Sequence, residues 1–128
     1  MKLSDFELEV MDIIWQRDSV SAVDIHKAIQ VSRAVSYSAV KTVIDRLEQK
    51  GVLKRADQQG RTIFYASAIR KEEVSKPMLK GFLKRLFSGK PKQLIAQLIQ
   101  DEELSDKDIQ ALKQMLASKK RKENQQDK

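Results

Sequence analysis

Apolar residues recur at helical spacing in three segments ahead of Gly51, and each segment is preceded by a serine that can cap a helix. We therefore predict helices over about residues 4–17, 21–30 and 36–50, with Gly51 at the C-terminal cap of the third. The predicted buried stripes are, in order, Phe6, Val10, Ile13 and Ile14; Ala22, Ile25 and Ile29; and Val40, Val43, Ile44 and Leu47.

Two short segments after the third helix, residues 52–56 and 62–66, are rich in β-branched and aromatic residues. The turn-forming residues 57–60, with the sequence DQQG, separate them. This pattern predicts a β-hairpin. Three helices followed by a hairpin is the order of a winged helix, and its second and third helices form a helix-turn-helix.

After residue 69 the pattern predicts helices alone. These helices are too short and too few to bury their apolar faces among themselves, which favours packing against a second copy of the chain. We predict a mainly α fold with a small hairpin: a winged-helix domain over 1–69, a helical dimerisation domain over 70–118, and a disordered basic tail over 119–128. The predicted dimerisation residues are Leu79, Phe82, Leu83, Leu86, Leu94, Leu98, Ile109, Leu112 and Leu116.

The net charge of +7 favours a polyanionic partner. The excess begins at the third helix, because residues 1–35 carry four basic and six acidic side chains, whereas residues 36–69 carry six and three. The chain has no cysteine, which excludes disulfides, thiolate metal sites and a catalytic thiol. We find no nucleophile–base pair, metal motif or cofactor motif, so we expect no enzyme. Without a signal peptide or an apolar run of membrane length, we expect a soluble, cytoplasmic protein.

The outer face of the third helix is polar and basic, as expected of a helix that enters a DNA major groove. Lys41 and Thr42 are the first candidates for contacts to base edges. Asp45 suits neither bases nor phosphates, and we expect it to pair with Lys41 or a nearby arginine. The remaining candidates for contacts to bases or to the DNA backbone are Ser36, Tyr37, Ser38, Arg46 and Lys50 on the helix, and Arg55 and Arg61 on the hairpin.

Three alternatives stay open. The basic residues could be ordinary solvated charges on an amphipathic helix. The winged helix could bind a protein and not DNA, or a small ligand held between the two domains could release it from its operator.

Several motifs together resemble the penicillinase-repressor family (BlaI/MecI/CopY type). They are LSDFELEVMDIIW, SVSAVDIHKAI, SYSAVKTVIDRLEQKGVLKR and GRTIFY, followed more loosely by FLKRLFSG and DEELSDKDIQALKQML. The resemblance implies a dimeric repressor on palindromic operators, often of antibiotic-resistance genes. It maps the family's reading helix onto residues 36–49 and its wing onto residues 56–62.

The resemblance also implies two modes of release. β-Lactam-responsive members are cut in the C-terminal domain, at an Asn-Phe step, after signalling by a membrane metalloprotease sensor. Gln97 and Leu98 occupy that step here, so this chain departs from the family pattern. Copper-responsive members use a C-terminal cysteine cluster, which this chain lacks.

Overall fold

The computed structural model describes residues 2–126. It divides into two compact units, one ending at Leu79 and the other beginning at Lys80. The predicted fold class, a winged helix followed by a helical region, is confirmed. The elements are α1 (Asp5–Arg17), β1 (Val20–Ser21), α2 (Ala22–Ile29), α3 (Tyr37–Gln49), β2 (Leu53–Gln59), β3 (Thr62–Ser67), α4 (Lys71–Phe87), α5 (Pro91–Asp101) and α6 (Asp106–Gln126).

Serine caps begin the first three helices, as the sequence predicts. At α1, the Ser4 hydroxyl accepts from the Glu7 amide and the Glu7 carboxylate accepts from the Ser4 amide, which completes a capping box. The hydroxyls of Ser21 and Ser36 accept in the same way at α2 and α3. These bonds satisfy amides that have no partner within their helices.

Gly51 ends α3 in a left-handed conformation, with φ of +78°. Its amide donates to the carbonyl of Glu48, and the Val52 amide donates to that of Leu47. This pair of bonds is a Schellman motif, which turns the chain sharply from the helix into β2.

The first unit packs around one apolar core, to which all three helices, the sheet and the start of α4 contribute. Trp15 ties α1 to β3, because its indole donates to the Ser67 hydroxyl at 3.0 Å. Phe6 and Ile13, two members of the predicted α1 stripe, are only partly buried, and Met11 is buried with the others. The fully buried side chains include Val10, Met11, Ile14, Ile25, Ile29, Val40, Ile44, Leu47, Val52, Tyr65 and Val74.

The sheet has three antiparallel strands in the order β1-β3-β2. Strand β1, which pairs Val20 with Tyr65, was not predicted. Its two residues are too few to show the alternation of apolar and polar positions that indicates a strand. The predicted turn over residues 57–60 is wrong. Residues 57–59 pair with β3, and the chain reverses at Gly60 and Arg61. Gly60 has φ of +61°, as the first position of a type II′ turn requires.

The first unit extends past residue 69, where the sequence placed the domain boundary. Val74, on the first half of α4, is 1% exposed and belongs to the core of the winged helix. A boundary at residue 69 would leave an apolar site in that core empty, so the unit continues to Leu79.

The second unit contains the end of α4 together with α5 and α6. Pro91 begins α5, and Ser105 and Asp108 exchange capping hydrogen bonds at the start of α6. The predicted disordered tail is wrong where the structure describes it, because α6 continues to Gln126. Residues 119–126 contain neither Gly nor Pro and are rich in strong helix formers. Residues 127 and 128 of the predicted tail lie outside the described residues. Within the described part of the chain, no helix is long and apolar enough to cross a membrane.

Candidate nucleic-acid interface

Helix α3 has one buried and one solvent-facing side. Val40, Val43, Ile44 and Leu47 are buried. The opposite side is polar, and six predicted contact residues on α3 or at its caps are exposed: Ser36, Tyr37, Ser38, Thr42, Arg46 and Lys50. The sequence therefore placed the outer face of the helix correctly.

Lys41 is half-buried, and its ammonium donates to the carboxylate of Asp45, one turn further along α3. This hydrogen bond raises the pKa of Lys41, and burial of the ammonium offsets only part of the effect. Asp45 therefore pairs with Lys41, which is one of the two kinds of partner predicted for it from the sequence. An ammonium has three donors, so two N–H groups of Lys41 remain for other acceptors.

Two hydroxyls of the predicted surface already serve the helix itself. Ser36 is the N-terminal cap, and its hydroxyl accepts from the Ala39 amide at 3.1 Å. Thr42 donates to the Ser38 carbonyl at 2.9 Å. Thr42 therefore offers mainly its methyl group, which is the group suited to a thymine methyl.

Lys50 has a structural partner that the sequence did not reveal. Its ammonium donates to the Glu7 carboxylate at 2.8 Å, across 43 positions of the sequence. The Glu7 side chain is only 4% exposed. Burial alone would raise the pKa of Glu7, but hydrogen bonds from Lys50 and the Ser4 amide outweigh it and lower that pKa. The same carboxylate thus caps α1 and holds the end of α3.

The two hairpin arginines differ in their surroundings. Arg55 donates to the Glu48 carboxylate at 2.9 Å, and this bond raises the pKa of Arg55. Arg61 lies at the turn, is exposed, and forms no ion pair with any residue that the structure describes. Arg46 on α3 is likewise exposed and unpaired within that part of the chain. Arg46 and Arg61 can therefore approach phosphates without first breaking an ion pair.

His26 orders the connector between α2 and α3. Its Nε2 lies 2.9 Å from the Val35 carbonyl, which can only accept, so Nε2 carries the proton. Its ring meets that of Tyr37 edge-on, with 6.0 Å between centroids. Sequence reasoning missed this contact, which positions the first residue of α3.

Together these contacts define a polar, basic surface formed by α3 and the hairpin. Among the described residues, no cluster of three or more His, Asp or Glu side chains could hold a metal ion. The charge and exposure of this surface therefore suit a polyanion.

A sequence model of the family described as "Penicillinase repressor" matches residues 3–118. The chain belongs to the penicillinase-repressor family. This confirms the resemblance and the prediction that the chain is no enzyme, since the family is one of transcriptional repressors. One relative is the penicillinase repressor of Staphylococcus aureus, which is 35% identical over 116 residues and 91% of each chain.

Solved structures of the penicillinase-repressor family match the first unit. The solution structure of the DNA-binding domain of the repressor BlaI is 30% identical, with a TM-score of 0.51, and covers 56% of this chain and 87% of its own. The monomeric Bacillus licheniformis BlaI, in complex with the blaP half-operator, is also 30% identical. Its TM-score is 0.50, and it covers 57% of this chain and 88% of its own.

Proposed function

We propose that this chain represses transcription by binding operator DNA through the outer face of α3 and the β2–β3 hairpin. The observation that carries the proposal is the match of this unit to a BlaI protein solved on a half-operator. The exposed, unpaired guanidinium groups of Arg46 and Arg61 support it, because most contacts to duplex DNA go to phosphates. The proposal places the protein in the cytoplasm, together with its operator.

We further propose that two copies bind one palindromic operator. The apolar side chains of the second unit support dimerisation, since none of its described residues from 80 to 124 is buried within a single chain. A dimer would place its reading helices at half-sites about 34 Å apart, or a multiple of that distance. Among the predicted dimerisation residues, those exposed in one chain are Leu79, Phe82, Leu86, Leu98, Ile109, Leu112 and Leu116.

Selection of bound sequences from random duplex DNA tests both proposals. We expect a two-fold symmetric site and an affinity that falls steeply with salt. In the same assay, Lys41→Ala should cost about 1–3 kcal/mol and relax specificity at one position of each half-site. Binding without a sequence optimum or salt dependence would contradict the proposal and favour a protein-interaction module.

The regulated genes are proposed to be antibiotic-resistance genes, and the proposed release step is proteolysis triggered by a membrane metalloprotease sensor. The candidate bond joins Gln97 and Leu98 in the middle of α5. Proteases cut extended segments, so cleavage there requires α5 to unwind.

Mass spectrometry of the repressor from cells treated with a β-lactam tests this route, and a fragment ending at Gln97 is expected. A Gln97→Lys variant would alter the scissile step with a residue of similar helix propensity and should persist intact. Release of the uncut chain by a small ligand would contradict proteolysis.

A further inference from the structure

A cavity of about 160 Å³ opens between the start of α2, the start of α3 and the hairpin. It is larger than the share of about 30 Å³ that one water molecule has in the liquid, so it has room for a group of several atoms. Its lining residues are Ser21, Ala22, Val23, Tyr37, Lys41, Arg61, Thr62, Ile63 and Tyr65.

Tyr65 gives this cavity an unsatisfied donor. The residue is 1% exposed, and its hydroxyl is buried without a hydrogen-bond partner among the residues that the structure describes. Buried polar groups in folded proteins are almost always paired, because an unpaired one loses its hydration without compensation. The Lys41 ammonium lies beside this hydroxyl but can only donate, so the O–H group lacks an acceptor among the described residues.

The charge of the lining indicates that this acceptor is anionic. Lys41 and Arg61 both line the cavity, and none of its described lining residues is acidic. The Lys41 ammonium lies 6.0 Å from the centroid of the Tyr65 ring. Asp45 holds this ammonium from the next turn of α3 but does not line the cavity.

The start of α2 adds backbone donors to the same wall. Ser21 caps the helix by accepting from the Asp24 amide. This cap leaves the amides of Ala22 and Val23, both lining residues, without partners inside the helix. Amides at a helix start favour negatively charged oxygen atoms.

We propose that this cavity binds a phosphate-type oxyanion, which accepts a hydrogen bond from the Tyr65 hydroxyl and is neutralised by Lys41 and Arg61. The anion can be a backbone phosphate of duplex DNA or free inorganic phosphate. The DNA source rests on the proposed function, because the cavity lies within the surface assigned to the operator. Free phosphate does not rest on it.

The test uses the full chain, Tyr65→Phe, and Ser67→Ala as a matched control. Both variants lose one hydroxyl from β3. The Ser67 hydroxyl, however, bonds within the protein, to Trp15 and to the residue 69 backbone. Without phosphate, we expect Tyr65→Phe to melt at or above the temperature of the parent and Ser67→Ala to melt below it.

In the first arm, inorganic phosphate is titrated at constant ionic strength and backbone amide shifts are followed by NMR. We expect shifts in α2, α3 and the hairpin, with affinity weaker by about 10- to 100-fold in Tyr65→Phe and unchanged in Ser67→Ala. In the second arm, duplex binding by Tyr65→Phe should weaken by a similar factor for operator and random sequence. The salt slope should not change, because no charge is removed.

Loss in the first arm alone assigns the site to free phosphate, and loss in the second arm, with or without the first, assigns it to the DNA backbone. If the parent binds DNA while Tyr65→Phe matches it in both arms, the proposal is overturned. A lower melting temperature in that case would mean that the hydroxyl serves only the fold. If the parent binds no duplex at all, the proposed function fails, and the phosphate arm still decides the fate of the cavity.

Discussion

The two units of this chain differ in whether their apolar residues are buried within a single chain. In the winged helix, the stripes of α1, α2 and α3 meet the sheet and the first half of α4 in a single core. In the helical unit, Leu98 is 44% exposed and Leu112 is 47% exposed, although both lie on helical stripes. One unit has its partners within the chain, and the other has an apolar surface that a second copy can cover. The difference separates what a monomer can stabilise from what requires assembly.

The largest expected effect is in the winged-helix core. Leu47→Ala removes a fully buried side chain and should lower the free energy of unfolding by about 2–5 kcal/mol. Leu112→Ala, in the exposed stripe, should change the same transition by much less. Urea unfolding followed by Trp15 fluorescence measures the first unit alone, because the chain has one Trp. Equal losses of unfolding free energy in the two variants would contradict this difference between the two units.

Assembly should depend on the exposed stripe. Leu112→Glu would place a carboxylate in the proposed dimer interface, where an unpaired charge is costly. We expect the dimer dissociation constant to rise about 100-fold, which corresponds to about 2.7 kcal/mol. Sedimentation velocity over a range of concentrations measures it. Lys113→Glu, at the adjacent exposed position, is the control; if both variants dimerise like the parent, this stripe is not the interface.

The link between α1 and α3 should make the stability of the first unit depend on pH. Glu7→Gln removes the ion pair with Lys50 and should cost about 1–2 kcal/mol at pH 7, reduced by the exposure of Lys50. The pKa of Glu7 is lowered in the folded state. Its contribution is therefore complete above the ordinary glutamate pKa of about 4.3 and fades as pH falls through the folded value. Urea midpoints of parent and variant should converge as pH falls below the ordinary glutamate pKa; a gap constant with pH would contradict this assignment.

The smallest expected effects distinguish the two hairpin arginines. Arg61→Ala should weaken binding to all duplexes about equally and flatten the salt slope by about one unit, since this side chain is unpaired among the described residues. Arg55→Ala should flatten it less, because Glu48 already neutralises Arg55. Fluorescence anisotropy between about 50 and 200 mM salt measures both slopes. Identical slopes would show that the Glu48 pair opens on DNA.

Local features of this fold could be predicted from the sequence, and contacts between distant residues could not. The Ser4–Glu7 capping box and the Lys41–Asp45 pair span three or four positions and follow directly from helical spacing. The Glu7–Lys50 bond and strand β1 join residues more than 40 positions apart, and periodicity carries no information about them. The hairpin turn was misplaced for a different reason. Pairing with β3 extends β2 through residues that are turn formers on their own.

Helix α3 likewise has some features that could be predicted from the sequence and others that could not. Its polar face was predictable from the spacing of Val40, Ile44 and Leu47. Which of its cationic side chains form ion pairs could not be predicted, because the partner of Lys50 comes from another element. The buried Tyr65 hydroxyl was also hidden, since a tyrosine in a strand pattern gives no indication of whether its oxygen is paired.

The short strand β1 has a consequence for how the winged helix folds. Val20 and Ser21 reach their partners Tyr65 and Phe64 only after the intervening chain, which includes α2, α3 and β2, has closed on itself. Closing so long a loop costs entropy before any strand bond forms, whereas capped helices form from neighbouring residues. We expect amides in α3 to gain protection from hydrogen exchange early in refolding, and those of the β1–β3 ladder to gain it last.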